Sequence, residues 1–239
     1  MSVQDRYPDF LKDQRQFFDE LIVEDWDTYQ SKEWDLARSF EIKKIFKKIQ
    51  PVNILNIGCG CGWQDQHMAQ YPFVQKVDSI DYSPKSVEVA NRVYPHPKVK
   101  RTVNDFKTFT SAHPYDLIIS FSVFEHLANF DEYFQFCVRN SAPLGAVSIS
   151  TVNRLRLRSR VRLLQRKSPC LEDPMHFKEY TIKELAKLGE TFGLKAVDSF
   201  GFGLYDYPLF GIKGGLLGGH LFPFIASRIN VIYKLKKAN

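Results

Sequence analysis

Three glycines stand two residues apart, directly after a short apolar run. Gly58, Gly60 and Gly62 follow Ile54–Ile57, a pattern typical of a buried strand that leads into a turn and then a helix. Glycines let the backbone turn tightly and approach a ligand closely, and the following helix N-terminus offers free amides. The dinucleotide fingerprint needs a further glycine where this chain has Trp63. The pattern therefore predicts a ligand-binding loop and disfavours a nicotinamide dinucleotide.

An acid and an aromatic residue follow the second predicted strand. Asp81 lies roughly 20 residues after Gly58, where a carboxylate can accept hydrogen bonds from both hydroxyls of a ribose. Tyr82 can lie against an adenine face. Asp105 follows the third predicted strand and can accept a hydrogen bond from an adenine amino group. Together these residues predict a ligand that contains adenosine.

The order and spacing of four motifs resemble motifs I to IV of the class I S-adenosylmethionine-dependent methyltransferases. The motifs are ILNIGCGCG, SIDYSP, VNDF and YDLIISFSVFEHL. The later runs HFKEYTIKEL and NVIYKLKK resemble the sixth helix–strand unit and the seventh strand of that family. The resemblance covers residues 50–239 and is closest to small-molecule enzymes of the ubiquinone pathway and of sugar or lipid modification. It implies an α/β fold with a Rossmann-like doubly wound sheet, mostly parallel with an antiparallel last strand, and helices on both faces.

The resemblance implies a cofactor, S-adenosyl-L-methionine, and a set of residues that bind it. The loop glycines and Ser120 would lie near its methionine part, Asp81 would hold the ribose, and Asp105 with its neighbour would contact the adenine edge. The family usually carries an acid two residues before the first glycine, where this chain has Asn56, whose amide lacks the charge. The implied cofactor-binding residues are Asn56, Gly58, Gly60, Gly62, Asp81, Tyr82, Asp105, Phe106 and Ser120.

Methylation of a hydroxyl needs a group that accepts the departing proton. Glu125 and His126 follow the fourth predicted strand, at the sheet edge where α/β proteins bind ligands. His126 is the first candidate for this base, since imidazole titrates near neutral pH; the alternative is that it only orients its loop. Glu125 would orient His126 or bind substrate. His176 is the alternative base or a substrate contact, and a purely structural hydrogen bond is its other interpretation.

A basic segment spans residues 152–170. It carries seven cations and no acid between residues 154 and 167, in a chain whose formal net charge is +6. We expect a helix after the fifth strand, over the mouth of the active site. Three interpretations stay open: a solvated face with ion pairs, a site for an anionic acceptor group such as a phosphate, or contact with acidic lipid or RNA.

Residues 200–225 contain seven of the 13 glycines and seven aromatic residues. This density of glycine disfavours a regular helix and predicts an apolar insertion over residues 200–227. The insertion would line an acceptor pocket, meet a membrane surface, form a dimer face or pack in the core.

Apolar periodicity, helix caps and prolines predict the helices and turns that position these residues. Residues 8–49 have helical periodicity, so we predict an N-terminal helical cap over residues 1–50 and a methyltransferase domain over 51–239. Ser83 and Pro84 start a helix, Pro143-Leu-Gly is expected to turn the chain, and a helix that begins at a Thr181 capping box is expected to end at Gly193.

Composition excludes several other classes of protein. Apolar residues make up 44% and charged residues 25%, which excludes a disordered or fibrous chain. The four cysteines have no paired C-x-x-C spacing, so we expect reduced thiols and no metal site. The N-terminal residues are charged, with no apolar signal region, which predicts a cytoplasmic protein, with peripheral membrane contact as an extension.

The sequence thus predicts a methyltransferase that acts on a small-molecule acceptor, and it favours a hydroxyl of a phenolic, sugar or lipid-linked compound as the methylated group. An RNA methyltransferase is the alternative enzyme, supported only by the basic segment. A non-catalytic, cofactor-binding partner subunit is the alternative of another class. The identity of the acceptor and the oligomeric state are left open.

Overall fold

The computed structural model describes residues 14–20, 32–169, 171–173, 175–204 and 211–236. The helices are α1 (14–20), α2 (Lys32–Lys48), α3 (Trp63–Ala69), α4 (Pro84–Val93), α5 (Phe130–Asn140), α6 (Leu157–Leu164), α7 (Ile182–Glu190) and α8 (Gly211–Leu221). The strands are β1 (Asn53–Ile57), β2 (Lys76–Asp81), β3 (Val99–Val103), β4 (Tyr115–Phe121), β5 (Ser141–Val152), β6 (Leu194–Phe202) and β7 (Arg228–Leu235).

The seven strands form one sheet in the order β3-β2-β1-β4-β5-β7-β6. The first five strands are parallel, and β7 runs antiparallel to both β5 and β6. The order reverses between β1 and β4, so the carboxyl ends of these strands leave a crevice between their outgoing loops. The predicted fold class is confirmed, including the antiparallel last strand.

Apolar side chains of the central strands alternate between two cores. Ile118 packs on one face of the sheet with α5 and α7, whereas Leu117 and Ile119 pack on the other face with α2, α3 and α8. Strands that are buried on both faces need nearly continuous apolar runs, which β1 and β4 have. Helices therefore cover both faces, as the sequence predicts.

Two predicted helix starts are confirmed in atomic detail. Ser83 accepts a hydrogen bond from the amide of Ser86, and Pro84 occupies the first turn of α4. Thr181 and Glu184 form a reciprocal capping box on α7. Helix α7 ends at Glu190, before the expected end at Gly193. Gly193 adopts φ 79° and directly precedes β6.

Two expectations are wrong. Pro143-Leu-Gly does not turn the chain but lies within β5, where the pairing with β4 shifts register after Tyr115. Residues 211–221 form a regular helix despite their glycines. A Cβ on Gly219 would lie 2.5 Å from the backbone N and O atoms of Gly203, so glycine here permits close packing of α8 on the end of β6.

The predicted N-terminal cap is described only in part. Residues 14–20 and Lys32–Lys48 are helical, while the rest of residues 1–31 lies outside the described residues. The expected helix of the basic segment is confirmed as α6. Among the helices that the structure describes, none is both long and apolar enough to cross a lipid bilayer.

Candidate active site

A cleft lies at the carboxyl edge of the sheet. Its volume is about 1250 Å³ when the solvent space at its open mouth is included. Its walls come from the glycine loop after β1, the ends of β2 and β3, the turn after β4, and the N-terminal helices α1 and α2. Its lining includes Gln14, Phe18, Trp34, Arg38, Gly58, Gly60, Gln64, Asp81, Tyr82, Asp105, Phe106, Phe121, Ser122, Val123, His126 and Leu127. The topology thus brings six separate segments of the chain to one site.

The glycine loop is held against the end of β2. The amide of Gly58 donates to the carbonyl of Ile80 at 2.8 Å, and the amide of Gly60 donates to Oδ2 of Asp81 at 2.9 Å. The other carboxylate oxygen of Asp81 accepts from the amide of Ser83. Burial raises the pKa of Asp81 to about 6, against the effect of these two amides. The carboxylate is therefore preorganised at the cleft wall.

A buried ion pair braces the loop from behind. Nε of Arg101 lies 2.7 Å from Oδ2 of Asp65, and both side chains are inaccessible to solvent. Asn56 donates to the other oxygen of Asp65 at 2.7 Å, and Arg101 also donates to the carbonyl of Gly62. Burial raises the pKa of Asp65, and the guanidinium of Arg101 opposes that shift. The acid that is absent at position 56 is thus replaced by an acid on α3 whose role is structural.

Glu125, His126 and His176 form one cluster beside the cleft. A ligand-type oxygen or nitrogen atom of each lies within 4.8 Å of those of the other two. The two imidazole rings meet edge to face, with centroids 4.7 Å apart. Nδ1 of His126 lies 3.0 Å from the carbonyl oxygen of Met175. Because a carbonyl can only accept, Nδ1 carries the hydrogen and Nε2 keeps a lone pair.

Glu125 and His176, the two residues that cluster with His126, are each held by hydrogen bonds. Glu125 is buried, and its Oε2 accepts from the hydroxyl of Thr151 at 2.7 Å. Nδ1 of His176 donates to Glu179 at 3.1 Å, and Glu179 is paired with the buried Arg156. Burial lowers the pKa of His126, while the charge of Glu125 acts in the opposite direction. The imidazole of His126 is therefore neutral near pH 7.

Helix α1 closes one side of the cleft. Gln14 donates to the carbonyls of His126 and Met175, at 3.2 and 2.9 Å. The ring of Phe18 lies edge to face against both His126 and Tyr82. The N-terminal segment therefore connects the wall that carries Asp81 and Tyr82 to the wall that carries His126.

Helix α2 supplies a buried cation to another wall. Arg38 lies 4.5 Å from the ring centroid of Trp34 and pairs with Glu41. It also donates to the hydroxyl of Ser122 at 2.7 Å. Ser122 has φ 55°, so Arg38 helps to hold a strained turn that leads from β4 to His126.

The chain matches a known family over most of its length. Residues 26–199 match the methyltransferase domain family Methyltransf_23. The chain belongs to this family of S-adenosylmethionine-dependent methyltransferases. The expected family and enzyme class are thereby confirmed.

Curated methyltransferases match part of the chain. A ubiquinone biosynthesis O-methyltransferase of Rickettsia conorii (strain ATCC VR-613 / Malish 7) is 29% identical over 136 residues, which are 56% of this chain and 46% of that protein. A probable S-adenosylmethionine-dependent methyltransferase of Mycolicibacterium smegmatis is 27% identical over 62% of this chain and 54% of that protein. The chain spans about half the length of the curated relatives it matches.

Solved methyltransferases share the fold across nearly the whole chain. The 1,6-didemethyltoxoflavin-N1-methyltransferase of Burkholderia thailandensis, solved with S-adenosylhomocysteine, has a TM-score of 0.66 at 15% identity and covers 99% of this chain and 92% of that chain. The N-methyltransferase NodS of Bradyrhizobium japonicum WM9 has a TM-score of 0.62 at 15% identity, with 92% and 97% covered. At this identity the likeness shows a methyltransferase fold alone.

The cleft of this methyltransferase fits the family's cofactor. Gly60 adopts φ 48°, and a Cβ built on it would meet nothing within 4 Å, so the loop presents bare backbone to the cleft. The carboxylate of Asp81 and the ring of Tyr82 line the adjacent wall. Bare backbone suits the methionine part of the cofactor, and a carboxylate suits its ribose hydroxyls. An aromatic face suits its adenine.

The structure brings together most of the residues that the sequence singles out. Gly58, Gly60, Asp81, Tyr82, Asp105, Phe106 and His126 line the cleft. Glu125 and His176 do not line it but support His126 from behind. Asn56, Gly62 and Ser120 are absent from the lining: Asn56 binds Asp65, Gly62 caps α3, and Ser120 is buried, where it accepts a hydrogen bond from Tyr133. The serine that lines the cleft after β4 is Ser122 and not Ser120, and the expected contact between Ser120 and the cofactor stays a prediction.

Sequence reasoning missed the residues that the N-terminal helices contribute. Gln14, Phe18, Trp34 and Arg38 carry no motif, and only their helical apolar pattern is visible in the sequence. The basic segment is also placed differently than expected. No residue of 154–167 lines the cleft as the structure describes it, so α6 does not cover the mouth.

Proposed function

We propose that this methyltransferase transfers a methyl group from S-adenosylmethionine to a hydroxyl oxygen of a small acceptor, with His126 as the base. The observation that supports this most directly is the hydrogen bond between Nδ1 of His126 and the Met175 carbonyl, because it leaves Nε2 as the proton acceptor of a residue that lines the cleft. When bound, S-adenosylmethionine supplies an electrophilic methyl group.

In this reaction the protein binds and orients the acceptor and the cofactor, and it removes one proton from the acceptor. Nε2 of His126 would take the hydroxyl proton of the acceptor. The acceptor oxygen would gain the methyl group, whose bond to the sulfonium sulfur breaks, so that S-adenosylhomocysteine is the leaving group. Burial keeps His126 neutral beforehand, so the base is available at neutral pH. The nearby carboxylate of Glu125 then favours the imidazolium that is produced. His176, fixed by Glu179, keeps the ring of His126 in place.

The cleft walls favour an acceptor with an aromatic or apolar body. Phe18, Trp34, Phe121, Val123 and Leu127 line the space around His126. An apolar wall with one polar reacting group is the usual design of a small-molecule site. A phenolic or lipid-linked acceptor satisfies it better than a free sugar does, and the ubiquinone O-methyltransferases among the relatives agree with that class.

The experiment uses methyl-¹³C-labelled S-adenosylmethionine with three probes: 3,4-dihydroxybenzoate, its octyl ester and a simple glycoside. We expect a ¹³C methoxy signal in the catechol products, with the octyl ester preferred. A fourth probe, 3-aminobenzoate, offers an amine, and label on this amine with none on the hydroxyl probes would overturn the assignment to oxygen. Cofactor binding without transfer to any of the hydroxyl probes would overturn the proposal in favour of a non-catalytic subunit.

A further inference from the structure

Two segments expose large apolar side chains at the surface. Leu163 and Leu164 lie at the end of α6, and Leu217, Leu221, Phe222 and Phe224 lie on α8 and the turn after it. These six are among the eleven exposed large hydrophobic residues that the structure describes, and Leu164 is 86% exposed. Scattered exposed leucines are ordinary, but a concentration at one place indicates a contact surface.

The fold joins the basic segment to the glycine-rich segment through residues that lie at least 64 positions apart in the sequence. The amide of Leu157 donates to the carbonyl of Ile225 at 3.0 Å. Nε of Arg160 donates to the carbonyl of Phe224 at 3.1 Å, and its guanidinium lies 5.3 Å from the centroid of that ring. Leu164 follows Arg160 by four residues on α6 and so lies on the same side of the helix. The two apolar groups therefore belong to one surface.

Helix α6 and the turn after it also carry cations. Arg154 and Arg156 are taken up by ion pairs with Glu184 and Glu179. Arg158, Arg166 and Lys167 are exposed, and within the described part of the chain no carboxylate lies within 4.0 Å of their charged groups. The cationic groups are thus left to face solvent beside exposed leucines and phenylalanines.

This surface belongs to the edge of the sheet where the cleft opens. Helix α6 follows the carboxyl end of β5, and the turn at 222–227 precedes the start of the antiparallel β7. The register pairs Val152, at the end of β5, with Arg228, at the start of β7. The carboxyl ends of β1 and β4, which form the cleft, lie at the same edge.

We propose that Arg158, Leu164, Lys167, Leu221 and Phe222, with their neighbours, form a docking surface for an anionic lipid bilayer. The apolar side chains would enter the interface between headgroups and acyl chains, and the cations would meet lipid phosphates. Docking by this edge would bring the cleft close to acceptors held in the bilayer. That last consequence rests on the proposed function, whereas bilayer binding itself does not.

Charge complementarity and side-chain type favour a bilayer over RNA or a second copy of the chain. RNA attracts the cations, but four of the six exposed apolar side chains are leucines, which offer no face on which bases can stack. A second copy would bring the same cations together, which is unfavourable across a shared interface. A surface that combines unpaired cations with exposed Leu and Phe is the pattern of peripheral membrane proteins.

The experiment measures co-sedimentation of the full chain with phosphatidylcholine vesicles, with and without phosphatidylglycerol. We expect binding only to the anionic vesicles, weakened by rising salt. The charge variant, R158Q with K167Q, should bind roughly 30-fold more weakly. The apolar variant, L164Q with L221Q, should lose at least about tenfold. All four side chains are exposed, so folding should be preserved, which circular dichroism and the melting temperature check.

Matched controls carry the same changes elsewhere on the surface. R92Q with K195Q removes two exposed cations, and L144Q replaces a leucine that is 83% exposed near the start of β5. Both controls should bind vesicles as the parent does. Binding of S-adenosylhomocysteine and transfer to water-soluble acceptors should be unchanged in all variants, so failure of this inference is distinguishable from failure of the proposed function.

Three outcomes would overturn the inference. The parent could fail to bind anionic vesicles, or the controls could lose as much binding as the test variants. The third is a parent that binds a generic RNA fragment more tightly than it binds vesicles, with the charge variant losing that binding and the apolar variant retaining it. That result would assign the surface to RNA.

Discussion

Nδ1 of His126 lies 3.0 Å from the carbonyl oxygen of Met175, in a loop some fifty residues further along the chain. The same carbonyl accepts a hydrogen bond from Gln14 at 2.9 Å. A backbone acceptor cannot titrate, so this contact sets the imidazole tautomer over a wide pH range. The sequence could place His126 only near the site, whereas this contact leaves its Nε2 as the proton acceptor.

The first prediction concerns His126 itself. We expect H126A to lower kcat by about 10²–10⁴, because it removes the proton acceptor, and to leave the affinity for S-adenosylhomocysteine within about threefold. Calorimetry and single-turnover rates with the catechol probe measure the two effects. H113A changes an exposed histidine outside the cleft and should have no effect on either.

Chelation distinguishes a base from a metal site in the same cluster. Transfer by the parent should persist in excess EDTA, since the proposed proton acceptor is an imidazole. Activity that EDTA abolishes and Zn²⁺ restores would contradict the role of His126 as base and would assign Glu125, His126 and His176 to a metal ion.

The second prediction is a pH dependence of cofactor binding. Burial raises the pKa of Asp81 from 3.8 to about 6, and a hydroxyl donates better to the ionised form. Below about pH 6 the carboxyl is protonated in the free protein, so the affinity for S-adenosylhomocysteine should fall by up to tenfold per pH unit, and above that pH it should level off.

Variants at position 81 test whether Asp81 causes this pH dependence. D81A should lose roughly ten- to 150-fold in affinity at pH 8, about 1.5–3 kcal/mol. D81N should bind weakly at every pH, with the step near pH 6 absent. A step of the same size in D81N would show that another group causes it.

The third prediction concerns the ion pair behind the glycine loop. D65N leaves the buried guanidinium of Arg101 without its carboxylate and should lower the free energy of unfolding by about 3–5 kcal/mol. R101M should lower the free energy of unfolding by a similar amount. The double variant should lower it by clearly less than the sum of the two single effects, because the two residues act as one unit. Urea denaturation measures these changes. E88Q, at an exposed pair with Lys85, should leave the midpoint unchanged.

The fourth prediction compares two glycines of α8. G219A should destabilise the protein by about 1–3 kcal/mol, because the added Cβ would lie 2.5 Å from the backbone of Gly203. G215A should be neutral or stabilising by up to about 1 kcal/mol, since its nearest neighbour would be 3.9 Å away and alanine is the better helix former. Equal melting temperatures for the two variants would contradict the packing described for α8.

The sequence predicted those features that depend on neighbours along the chain. The Ser83 cap and the Thr181 capping box were both visible, because caps need only a few adjacent residues. The doubly wound, mostly parallel sheet with its antiparallel last strand followed from the resemblance to a family, and Asp81 was visible through its spacing from the glycine loop. Local signals failed at residues 211–221, where packing on β6 overrides the low helix propensity of glycine.

The sequence by itself determined the fold class, the glycine loop and the acid that follows it. Only the tertiary structure decided which side chains meet across long separations: Asp65 with Arg101, Gln14 with Met175, and Arg160 with Phe224. These contacts depend on how helices and loops pack on the finished sheet, and no short-range pattern encodes that packing. For the same reason Ser122, rather than Ser120, faces the cleft, because the strained turn after β4 sets which side chain points outward.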